Sequence, residues 1–418
     1  MASLKQQYAY EERLHKARMA SAKAYTPHLK QGFLGQVFGE FKRSAAYLTK
    51  ISLIYGVIGK AKQAISSVIQ QVQKLDKAVT KLQIVTRKTR EELSQTVVGY
   101  NQIAKEMGVA ADTVMQAAED WLRAGYDIQS ANILVQDSLK LSTLGMMEAG
   151  EATTSLISIM KGWKLSTNDM QTVVDNITAL DSSFATTAKD IATAMSKANV
   201  SASMSGMGLT DFEAYLTTIL DTSQLSAETV GTSLKTLIAR YGNVKAGKFT
   251  SSYSEDDEGD DMAKLNDIET VLNKVGIQTR NTAAEFRDLN EVFEEIAEKW
   301  NTFDNVTQNA ITTAMAGTRQ REALNVLFSN WSSVDKAKNV IKNSTGTADE
   351  KYEFYMGSLE AAKNTFTASI QDLTMNTGIL TNVFKDLYNL GTGLVTIVKK
   401  FGLILAGLLA LKFAPNII

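Results

Sequence analysis

Apolar residues recur with heptad spacing along the first part of the chain. Two seam positions alternate at intervals of three and four residues from Ile51 to Leu82, which predicts a long coiled-coil-like helix over residues 36–92. We predict an oligomerisation seam from nine large apolar residues: Ile51, Ile54, Ile58, Ile65, Val68, Val72, Leu75, Val79 and Leu82. Packing of the same helix inside a globular bundle is an equal alternative, because the flanking positions carry few opposite charges.

A series of short amphipathic segments follows over residues 93–250. Their apolar residues repeat every three or four positions, which predicts one buried face per helix. Two such stripes are Ile128, Ala131, Leu134, Val135 and Leu139, and then Val230, Leu234, Leu237, Ile238 and Tyr241. The segments show no fixed-length repeat, so we predict a compact multi-helix array rather than a solenoid.

Local signals predict where these helices begin and end. Glycine adopts a left-handed backbone without steric cost. We therefore predict helix ends near six glycines: Gly108, Gly125, Gly145, Gly162, Gly208 and Gly242. Asp127 and Ser226 are placed to act as N-caps, and Thr210 with Glu213 has the spacing of a capping box.

The helical pattern stops at an acidic stretch and then resumes. Residues 251–263 predict an exposed loop, because they are acidic and polar and contain glycine. Residues 264–382 predict a second helical part of the array. Its expected features are a capping box at Thr282 and Glu285, an amphipathic helix over Phe286–Trp300 and a helix from Asp349 through Leu373.

The two ends of the chain differ from the array. Residues 1–35 are basic and polar and predict a flexible arm, whereas residues 383–418 predict a hydrophobic C-terminal helix. Only 2 prolines occur, Pro27 and Pro415, so no proline interrupts a helix between them. Together these patterns predict an all-α protein.

Charge divides the chain unevenly. Residues 1–90 hold 17 Lys and Arg against 4 Asp and Glu, and the remainder holds 27 against 41. Nucleic-acid contact by the basic part is one interpretation, but a solvated helix surface is the better-supported one.

The composition leaves little for catalysis. The chain has 0 cysteines and 2 histidines, His15 and His28, both in the N-terminal arm. Thiolate nucleophiles, cysteine metal sites and a Ser-His-Asp set within the array are therefore excluded. Trp121, Trp163, Trp300 and Trp331 lie in or beside amphipathic stretches, where core packing explains them better than ligand stacking.

Two motifs resemble binding sites and are better explained otherwise. Gly242–Thr250 nearly spells a phosphate-binding loop, but a helix precedes it and Phe249 replaces the hydroxyl residue that magnesium requires. The acidic run Ser254–Asp261 lacks the residue order of a calcium loop. We therefore predict no enzyme, no cofactor and no metal site.

The apolar C-terminal segment leaves two possibilities open. Leu387–Val398 and Phe401–Leu411 are each shorter than the roughly 20 apolar residues that span a bilayer. Lys399 and Lys400 separate them, so the segment either inserts into a membrane as an oligomer or packs against another helix. The alternative function is thus a membrane-active helical protein.

Four blocks of the array carry a family resemblance. Residues 117–165 and 174–198, followed by GTSLKTLIARYGNVKAGK and AMAGTRQREALNVLF, occur in that order. In this order they resemble the core domain of phage tail tape measure proteins, from long-tailed phages and prophages of Gram-positive bacteria. The resemblance extends from about Leu82 to Phe328.

The resemblance implies a structural role in the virion. Such proteins are made in the host cytoplasm and lie in the tail lumen as a multi-copy helical bundle. There they set tail length, scaffold the tail tube and leave before the DNA at ejection. The implied partners are further copies of the chain, the tail tube protein, tail assembly chaperones and tail-tip proteins, with the host membrane and phage DNA at ejection. Because these proteins are usually longer, we expect a fragment, a split product or a short form.

Overall fold

Helices make up almost all of the regular structure in the computed structural model. It describes residues 70–376 apart from 72, 224, 247–260 and 283–284. All of these belong to one compact unit, Gln70–Gly391. The first helices are α1 over residues 73–86, α2 Ser94–Glu106, α3 Ala111–Arg123, α4 Ile128–Leu144, α5 Ala149–Trp163, α6 Met170–Ser183, α7 Ala188–Ser205 and α8 Leu209–Thr222.

The later helices continue to residue 376. They are α9 Ala227–Ala246, α10 Asp261–Lys274, α11 Leu289–Lys299, α12 Asn305–Ser329, α13 Trp331–Lys342, α14 Thr347–Met356 and α15 Leu359–Asn376. Between α10 and α11, a short hairpin pairs β1 Arg280–Thr282 antiparallel with β2 Glu285–Phe286. Two 3₁₀ turns, Thr167–Asp169 and Trp300–Thr302, complete the described elements. The predicted all-α class is confirmed.

The core is built around α7, α8 and α9. Helix α7 packs against α5 and α9, and α8 packs against α7, α12 and α13. Nine consecutive residues of α8, Phe212 through Leu220, are buried, as expected for a helix surrounded by others. The predicted stripes of α4 and α9 also face this core, with only Ile128 partly exposed.

Some predicted helix boundaries are confirmed. Gly108 and Gly125 have positive φ angles of 60° and 100° where α2 and α3 end. The N-caps are also as predicted: the Asp127 carboxylate accepts from the Ser130 amide at 2.7 Å, and the Ser226 hydroxyl accepts from the Thr229 amide at 3.2 Å.

At two other predicted ends the glycine itself stays helical, and the helix ends one residue after Gly162 and four residues after Gly242. Helix α5 runs through Gly162, where a Cβ would lie 2.7 Å from Asn199 Cγ, so this glycine lets α5 and α7 approach. Lys164 takes the left-handed position instead, with φ 55°. Gly242 lies inside α9, which continues to Ala246.

At Gly208 and Gly145, a residue close by takes the left-handed conformation in place of the predicted glycine. Gly206, with φ 87°, ends α7, and Gly208 is the N-cap of α8. Gly145 follows α4 with φ −85°, and Met146 adopts the left-handed conformation with φ 47°.

Both predicted capping boxes are wrong. Helix α8 begins at Leu209, before Thr210, and Glu213 points into the core rather than back to the helix start. Thr282 accepts from the Glu285 amide at 3.1 Å, but this bond closes the hairpin. Helix α11 therefore begins only at Leu289, with Asp288 as its N-cap, and not at Phe286.

Two other boundaries change. The helix expected from Asp349 through Leu373 is two helices, α14 and α15, which separate at Gly357 and Ser358. Helix α10 begins at Asp261, so residues 261–263 are helical rather than part of the predicted acidic loop, whose other residues lie outside the described part of the chain. The N-terminal arm, residues 1–35, and the hydrophobic segment, residues 383–418, lie outside the described residues.

Candidate functional site

Two of the sequence blocks meet at a break in α12. Gly317, in AMAGTRQ, has φ 76° and ψ 169°, a conformation essentially restricted to glycine, and it divides α12 into two halves. Arg240, in IARYG of α9, lies over this break: a Cβ at Gly317 would be 3.1 Å from its Nη2. Its Nη1 donates to the Ala314 carbonyl at 3.5 Å, three residues before the break.

The phase of the apolar residues explains the break. The first half of α12 buries Ile311, Thr312, Ala314, Met315 and Ala316, and the second half buries Ala323, Leu324, Leu327 and Phe328. At about 100° per residue, these two faces would point roughly 150° apart on a straight helix. The turn at Gly317 therefore allows both halves to face the same core.

A buried polar network joins α6, α8 and the segment before α14. Asn176 Nδ2 donates to Glu213 Oε2 at 2.9 Å, and Ser344 Oγ donates to Asn176 Oδ1 at 2.6 Å. Next to it, the Asp175 carboxylate accepts from the Gly346 and Ala348 amides, each at 2.9 Å. These side chains tie three distant parts of the sequence together.

Burial dominates the electrostatics of this region. It raises the pKa of Glu213 to about 8, against the opposing effect of the Asn176 hydrogen bond, so this carboxyl is protonated at neutral pH. Burial likewise raises the pKa of Asp137 to about 7, although Lys140 lowers it. Because both groups are enclosed by packed helices, they are not placed to act on a substrate from solvent.

An open groove of about 730 Å³ lies beside the C-terminal end of α6. Two lysines of the groove donate hydrogen bonds to backbone carbonyls of α6. Lys336 Nζ donates to the Ser183 carbonyl at 3.0 Å, and Lys351 Nζ donates to the Thr178 carbonyl at 3.4 Å. Cations are favourable at this end of a helix. The lysines of the groove thus stabilise α6.

The predicted oligomerisation seam is only partly within the described residues. Leu75, Val79 and Leu82 are buried in the core of the single chain, so this fold does not present them to a second copy. Six seam residues lie outside the described part: Ile51, Ile54, Ile58, Ile65, Val68 and Val72.

The tryptophans serve the core, as predicted. Trp121 Nε1 donates to Ser138 at 2.9 Å, and Trp300 Nε1 donates to Ser329 at 3.0 Å. Trp163 and Trp331 are partly buried and pack against it.

The remaining candidate sites have little structural support. Gly242–Ala246 is helical, so the start of the phosphate-loop-like motif is not a loop. Among the described residues, no three His, Cys, Asp or Glu side chains converge to hold a metal ion. Within the same residues, no helix is both long and apolar enough to cross a membrane.

Sequence reasoning missed the Arg240–Gly317 contact and the Asn176–Glu213 network. The signal for the second was a carboxyl and an amide placed inside apolar runs, at FEAYL and VDNITAL. A polar residue on a buried stripe requires a partner, but the pattern does not say which one.

Comparison with known proteins gives one assignment. Residues 99–317 match a family model described as phage-related minor tail protein, just over half of the 418-residue chain. The matched region runs from α2 to the break in α12 and includes Arg240, Glu213 and Gly317. No solved structure matches the chain.

Proposed function

Because this chain belongs to the phage-related minor tail protein family, we propose that it is the tape measure protein of its tail. In this role it sets tail length, scaffolds polymerisation of the tail tube and leaves ahead of the DNA at ejection. The observation that carries the proposal is the set of four sequence blocks. They occur in tape-measure order, and the last two of them meet at Arg240 and Gly317.

Helix geometry supports a measuring role for one part of the chain. A helix advances about 1.5 Å per residue, so the residue number of an extended helix sets a length. The described helices fold back on one another around α7, α8 and α9, and they contribute little length in this form. We assign the measuring role to the heptad-patterned region that precedes them.

The proposed partners follow from the role. Copies of the chain pair through the seam residues Ile51 to Val68, which lie before the described core. The tail tube protein surrounds the bundle, tail assembly chaperones hold the chain before assembly, and tail-tip proteins bind one end.

Tail length tests the proposal directly. Three extra copies of Ile51–Ala64, inserted after Ala64 in the phage gene, add 42 residues in heptad register, or about 63 Å of helix. We expect tails longer by about that amount in electron micrographs.

The matched control places the same insertion between Asp257 and Glu258, in the acidic run that separates α9 from α10. We expect that variant to keep the original tail length. Equal lengths for both variants and the parent would exclude a ruler function for the heptad region.

A further inference from the structure

Among the described side chains of α15, alanines and a glutamine lie inside, whereas the large apolar Leu359 and Phe366 lie outside. Ala361, Ala368 and Gln371 are buried, whereas Leu359 is 75% and Phe366 57% exposed. This distribution is the reverse of that of an ordinary surface helix, which buries its large apolar side chains. One aliphatic and one aromatic side chain of this helix are thus exposed to solvent rather than packed against the core.

Helix α15 is held against the core by residues of its inner face, and Leu359 and Phe366 take no part in these contacts. A Cβ at Gly108 would lie 2.9 Å from Ala361 Cβ, so this glycine allows close approach. Gln371 Oε1 accepts from the Ala111 amide at 2.9 Å, and Asp372 forms an ion pair with Lys105. Since small contacts and hydrogen bonds hold α15 in place, its apolar outer face remains available.

The outer face has the spacing of a helix–helix seam. Leu359, Ala362 and Phe366 are separated by three and four residues, and all three are exposed. Glu360 and Lys363, also exposed, flank them with opposite charges. A short seam with a small central residue permits close packing of a second helix.

We propose that this face, Leu359, Glu360, Ala362, Lys363 and Phe366, binds the same face of a second copy in an antiparallel, two-fold arrangement. Reversing the seam about its centre places Leu359 opposite Phe366 and brings the two Ala362 residues together. Each face is therefore its own complement, as an isologous interface requires.

The charges favour the same arrangement. In the antiparallel pair, Lys363 of one copy is displaced by only two residues, about 3 Å along the helix axis, from Glu360 of the other. Two opposite-charge contacts form at once, one on each side of the two-fold axis. This surface is separate from the Ile51–Val68 seam, and the inference does not rest on the ruler function because it is measured on the purified chain.

Sedimentation of the purified chain tests the interface. We expect a concentration-dependent dimer whose Kd rises at least about tenfold in Phe366→Glu, because a charge replaces a large apolar residue of the seam. Met146→Glu is the matched control, since Met146 is 93% exposed on the α4–α5 turn, and it should leave Kd unchanged. Circular dichroism melts of both variants exclude unfolding as the cause.

The charge pair and the register have their own tests. Lys363→Glu should raise Kd about two- to fivefold, and the double exchange Glu360→Lys with Lys363→Glu should restore it. Because the chain has 0 cysteines, Ala362→Cys gives a single thiol near the two-fold axis. We expect it to form disulfide-linked dimers faster than Met146→Cys.

A monomer at all concentrations, or a dimer that Phe366→Glu leaves intact, would overturn the proposal; the latter result would indicate that another surface pairs the copies. Equal cross-linking rates for the two cysteine variants would also overturn it.

Discussion

The family-matched residues 99–317 and the following residues 318–376 contribute differently to one fold. The first region contains most of the core, including the nine buried residues of α8. The second lies beyond the match, yet its side chains and amides complete bonds inside the first. Tyr352 donates to the Met107 carbonyl at 2.7 Å, and Ser344 donates to Asn176.

The stretch of chain that matches the family model is shorter than the stretch that folds together. Within 99–317, the Asp175 carboxylate and the Met107 carbonyl accept hydrogen bonds from groups that lie after Gly317. Buried polar groups are costly without partners. The folding unit of the described chain therefore extends through α15, although the family match ends in α12.

The largest expected effect comes from cutting one link between the regions. Asp175→Ala leaves the Gly346 and Ala348 amides without their acceptor in a buried site. We expect the free energy of unfolding to fall by about 3–5 kcal/mol, measured by urea denaturation.

Two variants calibrate that result. Asp175→Asn keeps one acceptor oxygen and should cost less, and Asp335→Ala removes an exposed carboxylate from α13 and should cost under about 0.5 kcal/mol. If Asp175→Ala costs no more than Asp335→Ala, the second region does not stabilise the first.

The next effect concerns the pH dependence of the first region. The folded pKa of Glu213, about 8, lies above the ordinary value of 4.5. Between these values the folded state retains a proton that the unfolded state has lost, so stability falls as pH rises and levels off above about 8. We expect Glu213→Gln to remove this fall, on the order of a few kcal/mol across the window.

Thermal unfolding between pH 5 and pH 8.5 measures the slope. Glu298→Gln, on the exposed side of α11, is the control and should follow the parent. Some slope should remain in Glu213→Gln, because burial also raises the pKa of Asp137 to about 7. A slope identical to that of the parent would contradict the buried protonated state of Glu213.

The smallest of the three effects lies at the border between the regions. Gly317→Ala forces a side chain into a glycine-only conformation and against Arg240, so we expect a loss of about 1–3 kcal/mol. Gly242→Ala is the matched control: Gly242 is helical and a Cβ there has open space. That change should stabilise α9 by up to about 1 kcal/mol, and losses of equal size in both variants would show that the break in α12 does not require glycine.

The sequence predicted the features that depend on local periodicity. The stripes of α4 and α9 and the N-caps Asp127 and Ser226 are encoded within one or two helical turns. Predictions failed where a distant residue decided the outcome. Gly162 resembles a helix end, but it serves contact with Asn199 of another helix.

The candidate site was less predictable for the same reason. Glu213 has the spacing of a capping residue from Thr210, but its partner Asn176 is 37 residues away. Likewise, Arg240 and Gly317 were recognisable only as parts of separate motifs. Periodicity identifies which residues are buried, whereas only the packed structure identifies which buried polar groups meet.

The hydrogen bond from the Ala111 amide to Gln371 joins positions 260 residues apart. At ribosomal speeds of about 5–20 residues per second, α3 leaves the ribosome roughly 13–50 s before its partner exists. Throughout that interval the surface of α2 that α15 covers in the folded chain is exposed on the nascent chain. A cellular factor that recognises this surface would therefore meet the protein during translation, before α15 can cover it.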